Sequence, residues 1–142
     1  MVYLLSINYN SSALTIDFLK SLSSVATSYR LILVDNHSSE DDYERLLAHM
    51  KAETSGLCVS DDESFLFGTD DRVLLIHASC NLGFAGGNNL ALRTAMQQKD
   101  MDAVVLINND TLVSPGFLDE ILACSISHPE AGLMGCRILY AD

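Results

Sequence analysis

With 142 residues and 49% of them hydrophobic, the chain can bury a sizeable core and fits one domain rather than two. Nineteen acidic against eight basic residues give a formal charge of −11, which repels phosphate backbones and argues against nucleic acid as a partner. No apolar run approaches the roughly 20 residues needed to cross a bilayer, and Met1-Val2-Tyr3-Leu4-Leu5 meets Asn8 and Asn10 too soon for a signal segment, so the cytoplasm is the expected location.

Tyr3 to Ile7 reads as a first strand, closed by the turn cluster Asn8-Tyr9-Asn10-Ser11-Ser12. Leu14, Phe18, Leu22 and Val25 recur at helical spacing and predict a helix over 13–27, followed by a buried strand from Leu31 to Val34 that ends at Asp35. Ser38 or Ser39 can cap a helix running to about Met50, with Glu40, Asp41 and Asp42 in the first turn where the helix dipole favours anions. Residues 51–72 mix Gly, Ser, Thr and acids and predict an irregular acidic excursion that leaves room for a hairpin at the sheet edge. Strand character resumes at Val73 to Ile76. The glycine-rich turn Gly83 to Gly87 then leads into a helix over Asn88 to Gln98, and a strand follows from Ala103 to Ile107. A helix from about Pro115 to Ser127 and a fifth strand from Gly132 to Tyr140 complete the reading.

Strict alternation of this kind implies an α/β domain of three layers, a mostly parallel sheet with helices on both faces. If the first three strands are wound 3-2-1 and the fourth lies on the far side of strand 1, the switch point falls between strands 1 and 4. Ligands of such sheets sit there, outside the carboxyl ends of the strands. Three polar clusters follow apolar runs in this way: Asp35-Asn36-His37-Ser38, Asn81 to Asn89, and Asn108-Asn109-Asp110-Thr111. Asp35 either contacts a ligand or forms an Asx turn at a helix entry, and Asn108 to Asp110 read equally as a turn or as a ligand site. Asp110 is ionised at neutral pH, and a hard divalent cation prefers one or two carboxylates plus substrate phosphates, so metal and diphosphate are expected to bind together. A dinucleotide fold is disfavoured, because the first strand-to-helix turn contains no glycine to let helix amides approach a pyrophosphate. Cys58, Cys80, Cys124 and Cys136, and His37, His49, His77 and His128, show no metal-ligand or redox spacing.

Taken in order, Tyr3 to Asn10, Leu33 to Ser38, Asn81 to Asn89 and Asn108 to Thr111 resemble the successive motifs of family 2 glycosyltransferases, especially the rhamnosyltransferase-like branch. The resemblance implies a GT-A, Rossmann-like fold and a nucleotide-diphosphate sugar as donor. It places the donor at Asn8, Tyr9, Asn10, Asp35, Asn36, Asn81, Gly83, Phe84, Gly87, Asn88, Asn108 and Asn109, with Asp35 on the nucleobase. Asp110 is then the ligand of a Mg²⁺ or Mn²⁺ ion bound together with the diphosphate. The motif reads Asn-Asn-Asp rather than Asp-x-Asp, so a lower metal affinity is expected. Members of that family run on well past this length, through the general base and the acceptor site, whereas this chain ends at Asp142.

The expectation is therefore a nucleotide-sugar-binding domain over 1–142 of an inverting, hexosyltransferase-type enzyme. The acceptor-binding part is absent, no catalytic residue is identified, and the chain alone is expected to be inactive. Uncovered apolar surface around Leu133 to Tyr140 would favour self-association. The alternative is a catalytically inert nucleotide-binding or interaction module of the same fold. A nucleotidyltransferase is weaker, since no glycine-rich, Arg- or Lys-bearing loop follows the first strand.

Overall fold

The computed structural model describes residues 1–61 and 64–140; Asp62 and Glu63 of one acidic run, and the chain end at Asp142, lie outside the described residues. The elements are β1 (Val2–Asn8), α1 (Ser12–Leu22), β2 (Tyr29–Asp35), α2 (Glu40–Glu53), β3 (Leu57–Ser60), β4 (Val73–His77), α3 (Gly83–Met96), β5 (Ala103–Leu106) and α4 (Phe117–Ser127). The sheet is parallel throughout, in the order β3-β4-β2-β1-β5.

Which strands lie inside that order follows from which are apolar on both faces. Alternate residues Val2, Leu4, Leu31, Leu33, Val73 and Leu75 pack against Phe18, Leu22, Leu46, Met50 and Leu118, which belong to α1, α2 and α4. Their neighbours Tyr3, Leu5, Ile32, Val34, Leu74 and Ile76 pack against Leu90, Ala91 and Ala95 of α3. Strands with two covered faces must be interior, and β1, β2 and β4 are.

Four expectations need correcting. The excursion over 51–72 is not irregular throughout: α2 extends to Glu53, and Leu57–Ser60 forms an edge strand paired in parallel with β4, so no hairpin forms there. Gly56 enables it at φ +66, where a Cβ would lie 2.4 Å from the Asp70 carbonyl oxygen. Phe65 and Phe67 then fold back over the sheet, held by Gln98, whose amide donates to the Phe65 carbonyl and accepts from the Phe67 N–H. Secondly, the segment from Gly132 to Tyr140 forms no strand and is exposed, Leu133 at 95% and Tyr140 at 100%. Strand propensity is realised only against a partner ladder, and among the described residues none pairs with this segment. Thirdly, α3 starts at Gly83, so Gly83 to Gly87 is not a loop before the helix but its opening turn. Helix α1 also ends early, at Leu22, where the Ser23 and Ser24 hydroxyls donate to the Lys20 and Ser21 carbonyls.

Candidate functional site

The carboxyl ends of β1, β2, β4 and β5 meet on one side of the sheet. A cleft of about 300 Å³ opens there, lined by Ile7, Tyr9, Ser11, Asn36, Asn81, Gly83, Phe84 and Asn109. Six of these come from the sequence-predicted set; Ile7 and Ser11 were missed, Ile7 because an apolar residue in a strand carries no functional signal. A slightly larger cavity, about 340 Å³, lies at the amino ends of β2 and β4 among Leu19, Val25, Tyr29, Arg72 and Val73. It is remote from every polar cluster, so the smaller cleft is the candidate site.

Behind the cleft wall is a buried polar network. Asn8, the last residue of β1, is 0% exposed. Its Nδ2 donates to Asp35 Oδ1 at 2.8 Å, Asp42 Oδ2 at 3.0 Å and Ser38 Oγ at 3.1 Å. With two hydrogens for three acceptors, one bond is shared. Its Oδ1 accepts from Thr15 Oγ1 at 2.8 Å and from Ser11 Oγ at 3.4 Å.

Asp35 is likewise 0% exposed and accepts, besides Asn8, the Ser38 N–H at 3.2 Å and His77 Nδ1 at 2.9 Å. The turn bond considered from sequence is thus present. Because the carboxylate can only accept, His77 donates from Nδ1. His77 pairs with Asp35 in the β2–β4 register and packs its ring 4.2 Å from that of Tyr43. It escaped the sequence reading, although its place as the last residue of an apolar run was the same signal that marked Asp35.

Asp42 is the missed carboxylate of the network. Its Oδ1 accepts the Ser12 N–H at 3.0 Å and the Ser12 hydroxyl at 2.7 Å, so a residue of α2 caps α1. Burial pushes its carboxyl upward, but the bonds from Asn8 and Ser12 and the nearby Arg45 charge outweigh that and hold it below the ordinary value. Burial, together with the Asp35 charge, pushes the Tyr43 phenol up.

The opposite wall is the start of α3. Asn36 Nδ2 donates to Asn81 Oδ1 at 3.0 Å and to the Gly83 carbonyl at 3.2 Å, while Asn36 Oδ1 accepts the Leu82 N–H at 2.9 Å. Asn81 Oδ1 also takes the Gly83 N–H at 2.8 Å. Gly83 has φ +68, which a side chain would strain. Gly87 is buried and does not line the cleft; a Cβ there would stand 3.0 Å from Ile7 Cδ1, so its missing side chain lets α3 close on β1. Asn88 Nδ2 donates to the Phe84 carbonyl of its own helix at 3.0 Å. Asn10, at φ 49, accepts the Ser39 N–H at 2.8 Å and so ties the β1 turn to the start of α2.

After β5 the chain turns, with the Thr111 N–H donating to the Asn108 carbonyl at 3.2 Å. Asn109 Nδ2 points inward, donating to Thr15 Oγ1 at 2.7 Å and Ser11 Oγ at 2.8 Å, while Asn108 and Asp110 are exposed. Among the described residues no group of three or more His, Cys, Asp or Glu converges on a point where a metal could sit. A single exposed carboxylate suits a hard cation that keeps most of its ligands from water and phosphate. Among the described residues no Lys or Arg lines the cleft, so a bound diphosphate would need its charge met by a cation and by the amides opening α3.

A profile of glycosyl transferase family 2 matches residues 4–142. No curated protein matches the chain by sequence. Among solved structures, residues 1–349 of TarS from S. aureus align with a TM-score of 0.61 and 16% identity over 90% of this chain and 33% of that one. The mannosyltransferase PcManGT from Pyrobaculum calidifontis, in complex with GDP-Man and Mn²⁺, aligns with a TM-score of 0.64 and 17% identity over 85% of this chain and 31% of that one. The chain thus spans about a third of the length of these two structures, and at such identities the likeness is one of fold.

Proposed function

Because the chain belongs to glycosyl transferase family 2, we propose that its cleft binds the nucleotide-diphosphate sugar donor of an inverting, hexosyl-type transfer to an acceptor held elsewhere. The observation that carries this reading is the convergence of residues from the first turn cluster and from all three polar clusters, Tyr9, Asn36, Asn81 with Phe84, and Asn109, on one cleft. Tyr9 and Phe84, exposed aromatics on its rim, offer flat faces to a base or sugar. Asp35 acts at the base end, where its burial makes His77 its route to the surface. Asn108 to Asp110 act at the diphosphate end, with Asp110 holding Mn²⁺ or Mg²⁺; the solved mannosyltransferase carrying GDP-Man and Mn²⁺ supports that pairing of ligand and ion. When bound, such an ion neutralises the departing diphosphate. This chain's residues would orient the donor so that the anomeric carbon faces the acceptor side.

Within the family the motif wording favours the rhamnosyltransferase-like branch. Among the described residues no helix is long and apolar enough to cross a membrane, and the four cysteines are unpaired, which suits a reducing compartment such as the cytoplasm. One observation favours a second reading, a nucleotide-binding module without transfer: an amide, Asn108, stands at the first carboxylate position of the metal motif.

Thermal-shift titration with GDP, UDP and TDP, with and without Mn²⁺, tests the donor site. A nucleotide at 100 times its Kd adds about 2.7 kcal/mol of stability. Asp110→Asn is expected to remove the Mn²⁺-dependent part of that gain and to spare the rest. No shift with any of the three at millimolar concentration, or an undiminished Mn²⁺ effect in the variant, would overturn the assignment.

A further inference from the structure

The two ends of the cleft are joined by a line of hydrogen bonds whose middle members, Asn8 and Thr15, are closed to solvent. Asn109 Nδ2 donates to Thr15 Oγ1 at 2.7 Å, Thr15 Oγ1 donates to Asn8 Oδ1 at 2.8 Å, and Asn8 Nδ2 donates to Asp35 Oδ1 at 2.8 Å. Thr15 and Asn8 are both 0% exposed. The single hydroxyl proton of Thr15 is better placed on Asn8 than on the Ser11 carbonyl, which lies 3.3 Å away. Its lone pairs then remain free to accept from Asn109.

We propose that Thr15 is a positioning residue of the donor site, its hydroxyl setting the Asn109 amide and, through the turn that follows, the place of Asp110. The proposal rests on the reading of Asn108 to Asp110 as the diphosphate end. Asymmetry in the network decides which end depends on Thr15. Without the hydroxyl, Asn8 stays held through Nδ2 by Asp35, Ser38 and Asp42 and keeps Ser11 Oγ on its other side. Asn109 Nδ2 keeps one bond, to Ser11 Oγ. The base end therefore stays in place while the turn bearing Asp110 loosens. A polar residue inside an amphipathic helix is ordinarily read as surface, yet Thr15 faces inward beneath β1 and β5, at the point where only a group that both donates and accepts joins two amides.

Isothermal titration of the full chain with GDP and with UDP, in EDTA and in Mn²⁺, separates the two ends. In Thr15→Val, of nearly the same volume, the Mn²⁺-dependent gain in affinity is expected to fall about five- to tenfold, the loss of one oriented hydrogen bond, with affinity in EDTA changed less than about twofold. Thr15→Ala removes the same hydroxyl with less crowding and should behave alike, while Thr15→Ser should restore the gain. On an Asn109→Ala background, Thr15→Val should have no further effect, since the group it acts through is gone. An unchanged Mn²⁺ gain in both the Val and Ala variants, equal losses with and without Mn²⁺, or a full additional loss on Asn109→Ala would overturn the role of Thr15 alone. Failure of the unaltered chain to bind either nucleotide would overturn the donor-site reading and this proposal with it.

Discussion

Replacing Asp42 by alanine should uncap a helix to which Asp42 does not belong. Helix α1 has no side-chain cap of its own; the Ser12 N–H and hydroxyl both donate to Asp42, as does the Asn8 amide. Loss of a cap costs about 1 kcal/mol, and loss of a charge-assisted bond at a site nearly closed to water about 2 kcal/mol. Together these predict about 3 kcal/mol, or a fall in Tm of roughly 10 °C for a domain of this size. The pH dependence gives a second check. The folded carboxyl lies below its unfolded value, so its contribution is complete above the unfolded pKa of about 3.9 and is lost as pH falls through the folded one. Urea melts followed by circular dichroism at pH 7, 5 and 3.5 should therefore show a constant gap between the two proteins at the two higher values and a narrowing gap at the lowest. A gap under about 1 kcal/mol at pH 7 would refute the capping argument, and one that widens on acidification would refute the sign of the shift.

Other substitutions probe neighbouring parts of the site. Gly87→Ala forces Ile7 Cδ1 to give way from 3.0 Å and should cost about 1 kcal/mol in a chemical melt; a variant as stable as the unaltered chain would show that Ile7 yields freely. Asp35→Asn turns an amide hydrogen toward groups that already donate. It should lower Tm by several degrees as well as weaken nucleotide binding, and an unchanged Tm would count against the buried network. In native protein Cys80, Cys124 and Cys136, all exposed, should react promptly with an aromatic disulfide reagent. Cys58, whose thiol burial and Asp71 push up to about 11, should react only on unfolding. Four prompt thiols would contradict this.

The interior strands were legible because β1, β2 and β4 carry apolar runs, that of β1 interrupted only by Ser6, and a strand buried on both faces needs no more than that to be recognised. The clusters at the strand ends were legible for a like reason: Asn8, Asp35 and Asn108 each stop an apolar run where hydrophobicity alone would have continued it. Short or conditional elements were not. β3 has four residues and exists because Gly56 turns the chain beside β4, whereas Gly132 to Tyr140 has the composition of a strand but no ladder to join.

Sequence by itself thus determined the α/β alternation and the positions of the polar clusters, which follow from local periodicity and from where apolar runs stop; the strand order around β1 entered there only as a condition, and the assembled sheet supplied it. Tertiary structure alone decided what each cluster does. It turned Asp35 inward onto Asn8 and His77, made Asp42 the cap of a neighbouring helix, and set Thr15 between Asn8 and Asn109. The physical reason is that, apart from the Thr15–Asn8 bond, each of these hydrogen bonds depends on a partner 27 to 94 residues away. Such partners are brought within 3 Å only when the sheet has assembled, so no local pattern in the chain can announce them.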